Sequence, residues 1–476
     1  MKLALVSLGC DKNTVDSERM LAELVGHGAV PVEDPRQADI VLVNTCGFID
    51  AAKEESIETL LRAAALKRSG TCRAVVAVGC MVARYRSEMI AELPEVDLFV
   101  GLRDVVRLVP ELRARGLLDG PREHPGERLP LGGKRHVSYL KLSEGCDHGC
   151  AFCAIPLWRG KHRSFGVEAL VAEAAALEAR GTVELNLVAQ DVAHYGRDLE
   201  GDADIVTLLR ALLAGTSIPW IRLLYVYSAG LRPPLVELMA AEPRLLPYLD
   251  VPIQHASDRV LRRMRRPERQ DSLRRKIGWL RESIPDLTLR TTVMVGFPGE
   301  TERDFRILLD FMEEIRFDHL GAFAFSPQEG TRAAAMAEQV PEDVAAERLE
   351  ELLAIQRAIS AERLTEEVGR PRTAIVDRLE PGEFTDLSPC PPPVIAVGRL
   401  SGQADDVDGV TVLRSRTSLE PGQLVKVVVR EVDDFDLRAD VVDILSSRVH
   451  APPSLPPARD RALPVVPLGL ETTWGR

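Results

Sequence analysis

The chain has 476 residues, 45% hydrophobic and 28% charged, with a net charge of −12. That length calls for about two to four domains, and that composition builds real cores and excludes a wholly disordered chain. The acidic balance weighs against a general nucleic-acid binder, which needs clustered Lys and Arg, and no run of about eighteen apolar residues offers a transmembrane helix.

The N-terminus, through Leu8-Gly9-Cys10, is apolar enough to be mistaken for a signal peptide. It is too brief, lacks a small-residue cleavage site and runs at once into Asp11-Lys12-Asn13. It reads as a buried strand of a cytoplasmic protein. Strands are expected at 3–8, 40–44 and 74–78, with helices at 15–25 and 54–66 between them. Such alternation predicts a parallel sheet with helices on its faces. Cys10, Cys46 and Cys80 each lie just beyond the carboxyl end of a strand, the edge where ligands sit in open α/β sheets.

A polar, Pro/Gly-rich stretch at 116–134 reads as a linker. A second alternation follows, with strands near 138–142, 183–188, 220–225, 249–253, 289–295 and 319–325. Helical patterns at 167–180, 205–213, 235–241, 257–265, 272–283 and 302–315 separate them. Six β/α units predict a partial (β/α)6 barrel whose site lies at the carboxyl ends of the strands. A long helix at 342–368 leads into a region rich in β-branched residues, with strands at 373–376, 410–413 and 424–429, expected to be a small all-β barrel. The Pro- and Arg-rich tail reads as disordered. The expected units are therefore an α/β domain (1–115), a linker (116–134), a barrel (135–365), a β domain (366–446) and a tail (447–476).

Eight cysteines stand at 10, 46, 72, 80, 146, 150, 153 and 390. In a large cytosolic protein, metal binding or catalysis is the better default than a disulfide framework. Cys146-Asp147-His148-Gly149-Cys150-Ala151-Phe152-Cys153 places three thiols at the end of the first barrel strand, and thiolates are the soft ligands of iron–sulfur clusters. Three ligands leave one iron of a four-iron cluster open. The spacing, with Phe152 beside the last cysteine, resembles the radical S-adenosylmethionine superfamily. There the methionine group chelates that iron, and one electron yields a 5′-deoxyadenosyl radical. The alternatives are a structural zinc site, which wants four closed ligands and for which His148 reaches awkwardly, or an ordinary ferredoxin-like cluster. Gly296, in Gly296-Phe297-Pro298-Gly299-Glu300, resembles the superfamily's glycine-containing support for the adenine, and Gln190-Asp191 ends the second strand. Each also reads as a tight turn closing a strand.

Cys10, Cys46 and Cys80 read by themselves as buried structural thiols. Ser7-Leu8-Gly9-Cys10-Asp11-Lys12-Asn13, Val43-Asn44-Thr45-Cys46-Gly47-Phe48 and Gly79-Cys80-Met81, however, resemble the N-terminal domain of the methylthiotransferases. Ser143-Glu144-Gly145-Cys146, Asp250-Val251-Pro252-Ile253-Gln254-His255 and Pro298-Gly299-Glu300-Thr301 continue the likeness to about residue 445, and the final β region resembles a TRAM domain. The resemblance implies two four-iron clusters, one on Cys146, Cys150 and Cys153 and one on Cys10, Cys46 and Cys80. It also implies S-adenosylmethionine, with Phe152, Gln190 and Gly296 beside it, and no general acid or base.

The first motif, with Val15-Asp16-Ser17-Glu18, is most similar to the members that methylthiolate the β-carbon of an aspartate in small-subunit ribosomal protein twelve. In that reading the radical takes hydrogen from the β-carbon, the second cluster presents sulfur and a second S-adenosylmethionine supplies the methyl group. The electron donor would be external, a flavodoxin or ferredoxin, and no membrane or direct RNA binding is expected. Rival readings are a transfer RNA adenosine methylthiotransferase and a non-enzymatic iron–sulfur carrier.

Asp11 stands where the family most often has Pro, Gly149 where a basic residue is common, and His162-Arg163-Ser164-Phe165 is unusual. Cys72 and Cys390 match no motif and read as ordinary thiols. Arg262-Arg263-Met264-Arg265-Arg266 reads as a solvated helix face rather than an RNA contact. From 366 to 446, sixteen Asp and Glu face nine Lys and Arg, a net of −7, with acids clustered at Asp405, Asp406, Asp408, Asp433, Asp434 and Asp436. That charge predicts an acidic platform that docks a basic protein substrate.

Overall fold

The computed structural model describes residues 1–445 except 71, 123–127, 129–130, 132–133 and 381–393. Cys390, part of the expected linker and the Pro-rich tail lie outside the described residues. The first hundred residues form a parallel sheet of β1 (Lys2–Ser7), β2 (Val30–Pro31), β3 (Ile40–Thr45), β4 (Ala74–Gly79) and β5 (Leu98–Gly101), in the order β2-β1-β3-β4-β5. β3 and β4 are buried along their whole length, which is why they read as unbroken apolar runs. Helices α1 (Asp11–Gly26), α2 (Asp50–Ser69), α3 (Cys80–Glu92) and α4 (Leu108–Ala114) cover the sheet. Leu21, Leu24 and Leu42 belong to one apolar cluster, and Val41, Leu60 and Val82 to another.

The first two helices begin four residues earlier than the apolar pattern places them. Their opening turns carry polar residues, so hydrophobic periodicity starts one turn late. The correction matters for α1, because Cys10 becomes its N-cap and Lys12 and Asn13 become buried helical residues.

The second sheet holds β6 (Val137–Lys141), β9 (Glu184–Val188), β10 (Trp220–Leu223), β11 (Leu245–Asp250), β12 (Thr288–Val295) and β13 (His319–Ala324), all parallel, in the order β13-β12-β11-β10-β9-β6. Between β6 and β9 the short pair β7 (Ser143–Glu144) and β8 (Arg163–Ser164) clasps the ends of the cysteine loop. This is the expected open (β/α)6 barrel. The strand expected at 249–253 lies at Leu245–Asp250 instead. Pro252 has no N–H for the ladder, so the Val251-to-His255 stretch leaves the strand for the mouth, where Gln254 takes a φ of +69°.

Alternate residues of the six strands divide cleanly. Leu185, Leu187, Ile221 and Leu223 pack outward against the helices. Glu184, Asn186, Arg222, Asp250 and Arg290 occupy the intervening positions and line the concave face.

A closed barrel of β14 (Pro371–Leu379), β15 (Val394–Leu400), β16 (Thr411–Ser415), β17 (Leu424–Asp433) and β18 (Asp436–Ile444) plugs that concave face. Trp220, Leu246 and Tyr248 form one cluster with Ile375, Ala404 and Leu424. Buried Arg222 pairs with Glu184 at 2.9 Å and donates to the carbonyls of Ser401 and Gln403. Arg399 binds Glu184 and Asp377, each at 2.7 Å, and His136 lies 2.9 Å from Asp377.

The expected acidic platform is corrected here. Asp405 is buried against Lys134 and Arg399, and Asp408 accepts the Tyr248 hydroxyl at 2.8 Å and faces Arg290 and His319. Asp406 also pairs with Lys134, and Asp436 accepts the Val410 N–H. Asp405 and Asp408 therefore join the β barrel to the α/β barrel, whereas Asp406 and Asp433 remain largely exposed. The arginine run is divided: Arg262 and Arg265 are exposed, whereas Arg266 is buried on Glu268 and over the Tyr227 ring, and Arg263 donates to the Pro298 carbonyl.

Candidate functional site

Three chain segments bring Cys10, Cys46 and Cys80 to one edge of the N-terminal sheet. Cys10 is exposed, whereas Cys46 and Cys80 are buried. Cys10 caps α1 and Cys80 is the first residue of α3, where burial raises the Cys80 thiol despite the Arg159 guanidinium beside it. A Cβ added to Gly9 would lie 2.9 Å from Cys46 Sγ, and one on Gly47 2.9 Å from Met81 Cα. Glycine at both positions lets the three loops touch.

Side chains that the sequence reading passed over hold this edge. Asn13 Nδ2 donates to the carbonyls of Leu8 and Thr45, and Asn44 Nδ2 donates to the Asn13 carbonyl and to Ser17 Oγ. Ser56 Oγ accepts from the Cys46 N–H at 3.0 Å and donates back to its carbonyl.

Cys146, Cys150 and Cys153 lie at the mouth of the α/β barrel, each half-buried. Gly145 adopts a φ of +73°, and a Cβ there would sit 2.1 Å from the Lys161 carbonyl oxygen. The Cys146 N–H donates to the Gly160 carbonyl at 3.1 Å and the Ala151 N–H to the Met264 carbonyl at 2.9 Å. His148, inside the loop, is 2.8 Å from Asp191 and stacks on Tyr227, which fixes its ring.

The donor chemistry of both trios suits a cluster better than a single ion. Among the described residues, the group of three ligand atoms within 4.8 Å of one another is His148, Asp191 and His194; neither thiol trio is that tight. The thiols of each set still interact electrostatically. Burial pushes Cys46 up to about 12, Cys146 to about 11 and Cys153 to about 12, and the other thiols of each trio add to the rise. Without metal these thiols keep their protons, and iron would have to displace them.

The concave face and its mouth also hold buried polar atoms with no partner among the described residues: both side-chain polar atoms of Asn186, Gln190 Oε1 and Gln254 Oε1. Orphaned groups of this kind are costly unless a polar ligand satisfies them, so the site fits an organic cofactor such as S-adenosylmethionine. Gln190 Oε1 is one of these unpartnered atoms. Phe152 packs partly buried beside Met264 and Met294. Gly296, at a φ of +72°, would place a Cβ 2.6 Å from Ala345 Cβ, so close helix packing accounts for that glycine.

The two trios are neighbours. Cys80, Ala154 and Trp158 form one apolar cluster, so α5 (Ile155–Trp158), which follows Cys153, rests on the other cysteine edge. Arg159 reaches across, with Nη2 2.6 Å from Asn13 Oδ1 and 3.3 Å from Cys80 Sγ, while Nη1 binds Glu144 and Asp16. Lys141 binds Asp16 at 2.5 Å, and Tyr225 donates its hydroxyl to Asp11 at 3.1 Å.

Residues 2–101 match the model of an uncharacterized protein family, UPF0004; residues 140–312 match the radical SAM superfamily, and residues 368–442 the TRAM domain. A protein of Anaeromyxobacter sp. named ribosomal protein uS12 methylthiotransferase RimO is 43% identical over 476 residues, covering 98% of this chain and 99% of its own. The protein of that name from Desulforudis audaxviator is 45% identical, covering 93% and 98%. Among solved structures, the radical S-adenosylmethionine methyltransferase TsrM of Kitasatospora setae matches with a TM-score of 0.50 at 13% identity, covering 70% of this chain and 73% of its own, a likeness of fold.

Proposed function

The chain belongs to the family of ribosomal protein uS12 methylthiotransferases, and on that basis we propose that it adds a methylthio group to the β-carbon of an aspartate in uS12 by radical chemistry. The observation that carries the proposal is the juxtaposition of two cysteine trios through Arg159 and α5 at the mouth of one barrel. Cys146, Cys150 and Cys153 would hold one four-iron cluster and Cys10, Cys46 and Cys80 the other, with Phe152, Gln190 and Gly296 along S-adenosylmethionine. When bound, these groups supply a 5′-deoxyadenosyl radical at the first trio and transferable sulfur at the second.

The chain's own residues do the rest. Asn13, Asn44 and Ser56 hold the three loops of the second trio in register. Gln190, Asn186 and Gln254 offer unused hydrogen-bonding atoms toward the cofactor. The β barrel seals the concave face, which keeps water from entering behind the reacting groups. The functional units run over 1–115, 135–365 and 366–446. No described helix is long and apolar enough to cross a membrane; action on a ribosomal protein would place the chain in the cytoplasm. An external flavodoxin or ferredoxin would supply electrons, and the acidic chain is not expected to hold RNA directly.

Mass spectrometry of uS12 from a strain lacking this gene tests the reading. The methylthio group should disappear from one aspartate. An unchanged uS12, with methylthioadenosine lost from transfer RNA instead, would assign the chemistry to RNA. Replacing either cysteine trio by Ala should halve the bound iron. Only loss of Cys146, Cys150 and Cys153 should abolish deoxyadenosine formation.

A further inference from the structure

Among the described residues, seven Lys and Arg residues are buried as whole residues. Lys141, Arg159, Arg222, Arg266, Arg348 and Arg399 each form an ion pair with a carboxylate. Lys12 is the exception. It is 8% exposed and, among the described residues, makes no side-chain hydrogen bond or ion pair. Its ammonium sits 3.3 Å from the centroid of the Tyr225 ring. The neighbouring Asp11 carboxylate accepts the hydroxyl of that same tyrosine instead of meeting the lysine. Asp250, the next carboxylate whose charge Lys12 feels, is engaged by Arg290 and by the Tyr225 N–H.

The placement is specific. Lys12 lies two residues after Cys10 on the first buried turn of α1, and Tyr225 follows β10 at the mouth of the α/β barrel with a φ of +60°. An N-terminal cation is therefore held by a strained aromatic residue of the barrel, beside Cys10. A buried charge is retained only when it is paired or put to use, and an ammonium over a ring face keeps its donors free for an incoming anion.

We infer that Lys12 is the specificity residue that receives the side-chain carboxylate of the target aspartate and holds its β-carbon between the two trios. This rests on the functional reading above and deepens it. The carboxylate of S-adenosylmethionine offers the same chemistry, and a third use of the charge would be to balance the thiolates of the Cys10 trio.

The test is a double-substitution cycle on anaerobic, iron-loaded protein. A uS12 peptide with the target aspartate, and its twin with Asn at that position, are titrated against wild type, Lys12→Met and Lys12→Arg, with iron content and S-adenosylmethionine affinity measured alongside. Wild type should bind the Asp peptide at least tenfold more tightly than the Asn peptide. Lys12→Met should erase that preference by weakening only the Asp peptide, and Lys12→Arg should restore part of it. A preference that survives in Lys12→Met overturns the inference. So does weakened S-adenosylmethionine binding with peptide discrimination intact, or iron loss from the Cys10 trio. Failure of the functional reading registers separately, as an unchanged uS12 mass in the deletion strain.

Discussion

Arg159 is the residue on which the two cysteine trios depend together. Its guanidinium is 3% exposed and is shared among Asp16, Glu144, Asn13 and Cys80. Arg159→Met leaves two carboxylates with Lys141 alone and should destabilise the fold by about 3 kcal/mol, read as a lowered denaturant midpoint at constant slope. It should also loosen iron at the Cys10 trio, because Cys80 loses the donor that favours its thiolate. The thiols make a second prediction. Cys46 is raised by burial to about 12, so between pH 9 and 12 the native iron-free chain holds a proton that the unfolded chain releases. A raised acid of this kind costs stability as pH rises, about 1.4 kcal/mol for Cys46 at pH 10. Melting of iron-free protein should therefore fall from pH 8 to pH 10, and iron loading should remove the dependence. An alkaline melting temperature that holds steady without iron would refute this.

At the scale of elements, strand ends decide the chemistry. β7 and β8 clasp the loop of Cys146, Cys150 and Cys153, and Gly145 makes the clasp possible. Gly145→Ala adds a Cβ in left-handed backbone 2.1 Å from the Lys161 carbonyl oxygen, and should cost more than about 2 kcal/mol and release iron from this loop. Gly116→Ala, at a φ of +62° with nothing within 4 Å of the added Cβ, should cost only about 1 kcal/mol and leave iron unchanged. Equal iron loss in both variants would mean that the clasp has no special role. The strands that carry cysteines were legible because β3 and β4 are continuous apolar runs. The first turn of α1 was not, because Lys12 and Asn13 are polar residues buried by partners elsewhere in the chain.

Over the whole molecule, the β barrel is fastened to the α/β barrel by charge. Burial by itself would raise the Asp377 carboxyl, yet hydrogen bonds from His136 and Arg399 overcome this and hold it well below the usual carboxylate range. A depressed carboxylate contributes stability above its unfolded value near 3.8 and loses it as pH falls below that value. Acidification below about pH 4 should separate the β barrel first, exposing Trp220 at the junction and shifting its fluorescence before the helices melt. A single coincident transition by fluorescence and circular dichroism would contradict that order. Asp408→Asn, which removes a charge facing Arg290 and His319, should move the junction's transition toward neutral pH.

The sequence by itself determined the elements and the six cysteines. Apolar periodicity and the spacing of thiols are local, and each strand carries its cysteine at its own carboxyl end. Only the tertiary structure decided what the charges do. Asp405 and Asp408 read as a solvated acidic platform but close the barrel, and Arg159 meets Asn13 across 146 residues of chain. Lys12 looks like any surface lysine until the fold buries it beside the mouth without a carboxylate of its own. Burial and pairing depend on which distant segments meet, and neither composition nor spacing carries that information.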